Sequence, residues 1–471
     1  MHPYSRPFYV RLLALLFAFA LIAVACGPAA QPTASPTAGA PSPGEPTPTE
    51  PTPTEMAASP TPAAGGDVIM LSTQLNPPAE AESMRNVILA DYQGSVDFVE
   101  ADAGQFADRV AAEAALGPGG GQVSLLGGLH GDFSSLVVQD QLMDLSELAT
   151  ELADRGFIDA YTDLAAYGTD QQYFIPWMQA TYIMAARQEA LEFLPEGADQ
   201  NALTWEQVTE WGKNIADAGH GQRLGFPAGP EGLWHRFFQG FALPSHTGRV
   251  NTAFNSPDAV AMWEWLRETW QYVNPQASGY SFMQDPLQAG EVWVAWDHVA
   301  RLRDAFISDP DNYVAMPAPA GPQGRAFMPV VAGLAIPNSA PDPEAAMNVI
   351  RHLTQPQIQA ITLREVGFFP AIQAELPADL DAGRKSMADA VVNMTSAADA
   401  LPALLPVGLG EQGGAYNTVF RNTFEAIVIN NEDIQAVLDR EAPNLQAVLD
   451  LAGAACWSPD PPSEGTCQVQ P

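Results

Sequence analysis

The sequence is poor in positive charge. Among its 471 residues, 20 are lysine or arginine and 55 are aspartate or glutamate, which gives a formal net charge of −35. Lysine occurs only at Lys213 and Lys385. A groove for nucleic acid needs clustered lysine and arginine side chains, and so does a polybasic contact with anionic lipid. The composition therefore argues against both of these function classes.

Motifs of familiar enzyme classes are also missing. The chain has no Gly-x-Ser-x-Gly element, no His-Glu-x-x-His element and no phosphate-binding P-loop. Its seven histidines are scattered without the spacing of metal ligands. A secreted glycosidase would need two carboxylates at a defined separation, which many acidic residues always permit and no pattern here indicates. We therefore expect a protein that is not an enzyme and that uses no cofactor and no metal.

The N-terminus combines two arginines with a short apolar run. Arg6 and Arg11 precede Leu12–Val24, which has 13 residues and is too short for a membrane-spanning helix of ~20 residues. The run ends in Ala23-Val24-Ala25-Cys26-Gly27. Small residues before a cysteine resemble the lipobox of bacterial lipoproteins, in which this cysteine carries the lipid. We predict a signal peptide over 1–25 and lipidation at Cys26; the alternative is an ordinary signal peptide cut after Ala25, which leaves a free thiol.

The segment that follows is rich in proline and threonine. Residues 27–66 contain 11 prolines and almost no large apolar side chain, so this part of the chain has nothing with which to bury a core. We predict that residues 26–66 form an extended tether between the lipid and the folded protein.

Cysteine is rare, and two of the three cysteines stand near the C-terminus. With Cys26 assigned to the lipid, Cys456 and Cys467 remain as an even pair in an oxidising compartment. We therefore predict a disulfide between them, because a zinc site would need more soft ligands.

The rest of the chain alternates short apolar runs with helical spacing. The runs Val68–Leu71, Val96–Glu100 and Val123–Leu126 are typical of strands, and helical patterns fill the intervals. This order predicts right-handed βαβ units. The alternation continues for more elements than one sheet can comfortably hold, although the last third contains no clear strands and a predicted helix break at Pro443. We expect an α/β protein with two lobes, each a mostly parallel sheet flanked by helices.

Several segments occur in a recognisable order. They are Leu125–Leu145, Phe174–Tyr182, Leu203–Gln207, Phe254–Pro257 with Ala259 and Trp263, Asp285–Leu287, Gly290–Val292, Trp296–Asp297, Gly333–Pro337, Glu344–Ala346 and Gly367–Pro370. Together, behind a lipobox and a Thr/Pro tether, they resemble the extracellular solute-binding proteins of the maltose-binding type, the substrate receptors of ABC sugar importers. The resemblance spans about residues 67–450. The loop Thr73–Pro78 departs from it, because many relatives carry tryptophans there.

The resemblance implies two lobes, a ligand bound between them and closure on binding. We expect the chain to cross between lobes near Phe174–Trp177, near Gly324–Pro329 and, as a third crossing, near Phe369–Ile372. Each lobe is then discontinuous, with boundaries at 67–175 plus 327–371 and at 176–326 plus 372–471. The resemblance further implies a monomer, lipid-anchored at the outer face of the bacterial cytoplasmic membrane, whose closed form docks on ABC permease subunits.

Candidate ligand-binding residues follow from the chemistry of sugars. Aromatic faces stack on apolar C–H faces, and carboxylates or amides bind hydroxyl groups. In open α/β sheets, ligands bind beyond the carboxyl ends of strands. The candidates at strand ends, turns and crossings are Trp177, Gln179, Tyr182, Trp234, Trp296, Asp297, His130, Asp132 and Tyr280. Interior packing is the alternative role for the tryptophans, and helix capping is the alternative for Asp132 and Asp297.

Other tryptophans fit packing better than binding. Trp205 and Trp211 belong to one helical pattern, and Trp263 and Trp270 belong to another. Strand alternation places Trp293 on the same face as Asp297, opposite Trp296.

The chemical class of the ligand stays open at this point. Carbohydrate is favoured, because the family mostly binds it and the candidates are aromatic and carboxylate side chains. Glycerol phosphate or another phosphorylated polyol is an alternative, for which Arg236 and Arg301 are the nearby cations. A polyamine would suit the acidic surface and the aromatic side chains.

Overall fold

A computed structural model describes residues 68–470, except 374, 375, 377 and 407. The predicted signal peptide, the lipidation at Cys26 and the predicted tether lie outside the described residues. Within the described part, no helix combines the length and the apolar character that a bilayer crossing requires.

The strands of the described chain form three sheets. In chain order they are β1 (Val68–Ser72), β2 (Val96–Glu100), β3 (Val123–Leu129), β4 (Ile175–Ala180), β5 (Tyr182–Arg187), β6 (Leu224–Gly225), β7 (Val294–His298), β8 (Tyr313–Met316), β9 (Arg325–Phe327), β10 (Val330–Ala335), β11 (Phe369–Pro370) and β12 (Ala400–Pro402). A six-stranded sheet has the order β11-β4-β10-β3-β1-β2, and a four-stranded sheet has the order β6-β7-β5-β8. The third sheet pairs β12 with β9.

The α-helices cover both faces of the two larger sheets. They are α1 (Pro78–Ser83), α2 (Ala103–Ala114), α3 (His130–Val138), α4 (Ser146–Glu151), α5 (Asp159–Ala165), α6 (Trp205–Ile215), α7 (Trp234–Phe237), α8 (Leu243–Thr247), α9 (Pro257–Thr269), α10 (Gln284–Gln288), α11 (Arg303–Ser308), α12 (Pro343–Leu353), α13 (Pro356–Val366), α14 (Ala382–Thr395), α15 (Gly413–Phe424) and α16 (Ile434–Ala452).

The sheets are mixed in direction. The strands β1, β2 and β3 run parallel, as predicted, and β6 runs parallel to β7. The strands next to the crossings are antiparallel to their neighbours, namely β4, β10 and β11 in one sheet and β5 and β8 in the other. The expectation of mostly parallel sheets therefore holds only for part of each lobe, because strands that arrive from the other lobe enter from the opposite end.

Both faces of the six-stranded sheet are buried. Met70 packs into a cluster with Leu125 and Ile350, whereas its neighbour Leu71 packs into a second cluster with Phe106. A strand covered on both faces must be apolar at every position, which explains the continuous apolar run in β1.

An aromatic core fills one face of the four-stranded sheet. Trp205, Trp211 and Trp263 are fully buried in it, as the packing interpretation predicted. Tyr182 and Met184 of β5 point into this core, and the alternate residues of the same strand point into a smaller cluster on the other face.

The chain passes between the two sheets over very short segments. β4 ends at Ala180 and β5 begins at Tyr182, so the first passage is Thr181. The residues Phe174–Trp177, where the sequence predicts this crossing, lie in or next to β4 of the six-stranded sheet instead. The second passage leads from β9 of the two-stranded sheet into β10, at Met328-Pro329, within the expected range.

The third passage lies later than expected. Phe369 and Pro370 pair with β4, and Ile372 pairs with Phe157, so these residues still belong to the first lobe. α14 then packs beside β8, with Ser386 Oγ accepting the Ala315 N–H at 3.3 Å. The passage therefore falls between residues 373 and 382.

The C-terminal segment is fastened to the second lobe. The predicted disulfide between Cys456 and Cys467 is present. The buried Asp460 carboxylate accepts N–H bonds from residues 250 to 252 at 2.8–3.2 Å, and the Thr252 hydroxyl at 2.6 Å. A buried carboxylate is stable only with such partners, so these bonds fix the tail in place.

Candidate functional site

The topology brings the carboxyl ends of strands from both sheets to the crossings. Leu129, the last residue of β3, pairs with Ala332 near the start of β10. His298, the last residue of β7, pairs with Tyr182 at the start of β5. Both strand ends therefore lie beside the segments that join the sheets. Ligands bind beyond carboxyl ends in such folds, which makes the space between these edges the candidate site, here called the interlobe cleft.

The two main crossings are bonded to each other. The Thr181 hydroxyl donates to the Met328 carbonyl oxygen at 2.9 Å, and the Val299 N–H donates to the Thr181 carbonyl oxygen at 3.0 Å. The crossings run side by side as Ala180 pairs with Val330. The lobes thus share a narrow and well-defined junction beside the cleft.

In the first lobe, Asp132 holds the loops after β1 and β3 together. Its Oδ2 atom accepts the Thr73 hydroxyl at 2.8 Å and the Leu129 N–H at 2.9 Å. Burial raises the pKa of this carboxyl, although both hydrogen bonds act in the opposite direction. The structure therefore gives Asp132 the capping role, and it presents Thr73, a residue that the sequence did not single out, at the end of β1.

His130 is buried at the edge of the cleft. Among the described residues, neither ring nitrogen has a partner at hydrogen-bonding geometry, although the backbone of Leu405 and of Val331 lies close enough to favour the protonated ring. Burial, and to a smaller extent the charge of Arg236, lower the pKa of His130 to about 4. Arg236 belongs to the second lobe, so His130 lies where the lobes approach each other.

Tyr182 and Trp296 form one stacked pair in the second lobe. Their ring centroids are 4.8 Å apart at an interplanar angle of 5°, and Phe241 packs edge-on against both rings. Both side chains are buried. His298 packs edge-on against Tyr182 at 5.0 Å, and burial of its ring lowers its pKa to about 3.

Asp297 is a buried carboxyl on the opposite face of β7. Its oxygens accept the Met283 N–H at 2.9 Å and the His298 N–H at 2.7 Å. Burial raises the pKa of Asp297 to about 7, although Arg301 and the two N–H groups lower it. The residue thus caps the segment that leads into α10, which corresponds to the structural alternative considered for it.

Trp293 does not share the face of Asp297, so this expectation was wrong. It packs into the aromatic core together with Trp296. The reason is that β7 begins only at Val294, and the Arg223 carbonyl oxygen accepts both the Trp293 and the Val294 N–H. Simple alternation therefore does not extend back to Trp293.

The other candidates are engaged within the protein. Trp177 is buried among the apolar residues of the first lobe, and Trp234 stacks on Phe237 at 4.5 Å. Gln179 accepts the Tyr161 hydroxyl and donates to the Pro370 carbonyl oxygen, and the Tyr280 hydroxyl donates to Glu291 at 2.6 Å. The ligand roles of these residues stay predictions, and the contacts favour structural ones.

Side chains that sequence reasoning missed lie beside the predicted ones. They are Thr73, His235, His298 and Arg421. His298 directly follows Asp297, and Thr73 directly follows β1, so position at a strand end was a usable signal for both. His235 and Arg421 are far apart in sequence and meet only in the fold, with Arg421 Nη2 and His235 Nδ1 at 3.0 Å.

The described residues contain no group of three or more histidine, cysteine, aspartate or glutamate side chains that could hold a metal ion. The candidate site contains hydroxyl, imidazole and guanidinium groups instead.

Comparison with known proteins relates this architecture to a sequence family and to solved structures. Residues 77–360 match the model of a family described as bacterial extracellular solute-binding protein. No curated protein sequence matches the chain significantly. Among solved structures, the sugar-binding protein MalE from Xanthomonas citri is 16% identical, with a TM-score of 0.66, and the match covers 82% of this chain and 98% of that one.

Two further solved structures show the breadth of the similarity. UgpB from Mycobacterium tuberculosis, in complex with glycerophosphocholine, is 19% identical with a TM-score of 0.61, covering 82% of this chain and 99% of that one. A solute-binding protein from Thermotoga lettingae, bound with α-D-tagatose, is 15% identical with a TM-score of 0.58, covering 81% of this chain and 98% of that one. At these identities the similarity establishes the two-lobe fold.

Proposed function

The chain belongs to the bacterial extracellular solute-binding proteins, and we propose that it is the tethered receptor of an ABC-type importer that binds a carbohydrate in the interlobe cleft. One observation carries this proposal: β3 of one lobe and β7 of the other each end beside the two hydrogen-bonded crossings. That arrangement offers polar groups from both lobes to one ligand. The sugars bound by several solved relatives support the carbohydrate class.

Closure would couple binding to delivery. A ligand that contacts both lobes makes all its contacts only in the closed state, so it shifts the population toward that state. Such a motion would bend the chain at Thr181 and at Met328-Pro329, and the third passage between the lobes would have to follow it. The closed form would then dock on the permease subunits of the importer.

The first 66 residues would export the receptor and anchor it at the membrane. We propose that residues 1–25 direct export, that Cys26 carries the lipid and that the segment up to residue 66 spaces the receptor from the outer face of the cytoplasmic membrane. The folded part would act there as a monomer and not as an enzyme. Labelling with a radioactive fatty acid tests the anchor, and a Cys26→Ser variant should lose the label.

A thermal-shift screen tests the receptor function. The purified protein would be heated with mono- to hexasaccharides, polyols and polyamines. A true ligand at 100 times its Kd should stabilise the folded state by about 2.7 kcal/mol. An upward shift with saccharides or polyols supports the proposal. A shift with polyamines alone would overturn the carbohydrate class, and release of reducing sugar without any shift would point to a hydrolase instead.

A further inference from the structure

Three arginines gather at the carboxyl edge of the four-stranded sheet. Arg236 lies in α7, which follows β6, and Arg301 comes directly after β7. Arg421 reaches the same place from α15. We call these three residues the cationic cluster.

A single turn ties two members of the cluster together. Arg421 donates to the Pro230 carbonyl oxygen at 3.2 Å and to the Gly232 carbonyl oxygen at 2.9 Å. Arg301 donates to the Glu231 carbonyl oxygen at 3.4 Å, in the middle of that turn. Arg236 follows four residues after Gly232 in α7, next to His235, and the charges of all three arginines act on that histidine.

The cluster has no matching negative charge. Among the described residues, no carboxylate oxygen lies within 4.0 Å of any of its three guanidinium groups. This is unexpected in a chain with 55 acidic residues, which could supply a partner at almost any position. Other arginines without such a partner are dispersed through the fold: Arg155, Arg223, Arg249 and Arg267. Within the part of the chain that the structure describes, only the cationic cluster brings several of them together.

The nearest acidic group does not neutralise the cluster by direct contact. Asp297 is close enough for Arg301 to lower the pKa of its carboxyl, but its oxygens accept backbone N–H groups. The effect of the positive charge is visible on the histidines nearby. Burial lowers the pKa of His235 most, and with the charges of all three arginines it brings this pKa to about 2.

Two members of the cluster keep hydrogen-bond donors for a ligand. A guanidinium group has five N–H donors. Arg236 uses one of its terminal nitrogens on Gln239 Oε1 at 2.9 Å, and Arg301 uses one of its terminal nitrogens on backbone oxygens. Arg421, by contrast, bonds through both terminal nitrogens and Nε to the turn and to His235. Arg421 therefore contributes charge and position, and Arg236 and Arg301 contribute free donors.

We propose that the ligand of the interlobe cleft carries an acidic group, either a phosphate ester or a carboxylate, and that Arg236 and Arg301 bind this group. Guanidinium groups suit both acids, because their paired N–H donors match two acceptor oxygens. His130, whose ring nitrogens make no hydrogen bond by geometry among the described residues, would approach the same ligand from the first lobe. This inference rests on the receptor function proposed above and narrows its ligand to acidic sugars or polyols.

Calorimetric titration with matched pairs of compounds tests the inference. The neutral members are glucose and glycerol; the acidic members are glucose 6-phosphate, glucuronate, glycerol 3-phosphate and glycerophosphocholine. We expect at least one acidic compound to bind about 10- to 100-fold more tightly than its neutral counterpart. Comparison of the phosphates with glucuronate distinguishes the two acids. Inorganic phosphate, which lacks the carbon skeleton, should bind more weakly than the best phosphate ester.

Three variants assign the effect to the cluster. Arg236→Gln and Arg301→Gln should each remove most of the preference for the acidic compound, and Arg236→Lys should retain part of it. Arg267→Gln is the matched control, because Arg267 is also partly buried and also donates only to backbone oxygens, on α9 outside the cluster. Denaturation in urea shows whether each variant remains folded.

The outcomes separate this inference from the proposed function. Neutral and acidic members that bind equally, or a preference that survives both glutamine variants, would overturn the inference and leave the receptor function intact. Failure of every saccharide, polyol and acidic compound to bind would count against both.

Discussion

Protonation of Asp297 should make the stability of the protein depend clearly on pH. Its pKa of about 7 in the folded state exceeds the ordinary value of 3.8, so the folded state binds this proton more tightly than the unfolded state. Its contribution to stability is therefore complete below pH ~4 and is lost as the pH rises toward 7.

An Asp297→Asn variant should reveal this dependence. The stability advantage of the native protein over the variant should shrink between pH 4.5 and pH 8, by at most on the order of 4 kcal/mol. Urea denaturation of both proteins across this range measures the difference and cancels the titration of the histidines, which the two share. A difference that stays constant or widens with pH would contradict the pKa assigned to Asp297.

Single residues also show where sequence reasoning worked and where it failed. Asp297 and Tyr182 lie beside the cleft junction because they stand at the ends of strands, which a sequence pattern can indicate. Trp177 and Trp234 also stand next to strands or turns, but each packs into a hydrophobic core. Helices from distant parts of the chain cover them, and this coverage has no local signal in the sequence.

At the scale of elements, the turn that supports the cationic cluster has little room. A Cβ atom added at Gly232 would lie 1.7 Å from the Pro227 carbonyl oxygen, so any side chain there must displace backbone. The same turn provides the carbonyl oxygens that accept from Arg301 and Arg421.

A Gly232→Ala variant should therefore lose both stability and affinity. We expect a destabilisation of about 1–3 kcal/mol, as for other overpacked sites, together with weaker binding of the ligand. Gly279→Ala is the control, since nothing lies within 4 Å of a Cβ atom at that position. Urea midpoints measure the stability, and calorimetric titration measures the affinity for the ligand. Equal stability and equal affinity of the two variants would show that the turn is not constrained.

Most strands and helices could be predicted from the sequence. The residues at which the chain changes from one sheet to another could not. The run Ala180–Ala186 reads as one strand, whereas the chain changes sheets at Thr181 in the middle of the apolar pattern. Pro443, a predicted break, lies inside α16, where buried residues such as Val437 and Leu445 hold the helix on the core. Both differences arise because tertiary packing outweighs the local preference.

The whole molecule carries a strong negative charge. The net charge of −35 opposes a compact state through self-repulsion, and salt screens this repulsion. The Debye length falls from ~30 Å at 0.01 M to ~8 Å at 0.15 M.

Salt should therefore stabilise the folded protein. Between 10 and 150 mM NaCl we expect the Tm to rise by about 1–3 °C and then to level off, because little repulsion remains to be screened. Differential scanning calorimetry across a salt series measures this curve. A Tm that falls with salt, or that rises linearly up to about 1 M, would indicate that general charge repulsion does not limit stability.

The strand order of the six-stranded sheet also constrains how the molecule can be made. β10 lies between β3 and β4, although it follows them by well over a hundred residues. While the chain emerges during export, β3 and β4 each keep an unpaired edge until Val330–Ala335 appears. A nascent chain that pauses before Val330 is therefore the form most exposed to aggregation, and the form that a chaperone would have the most reason to hold.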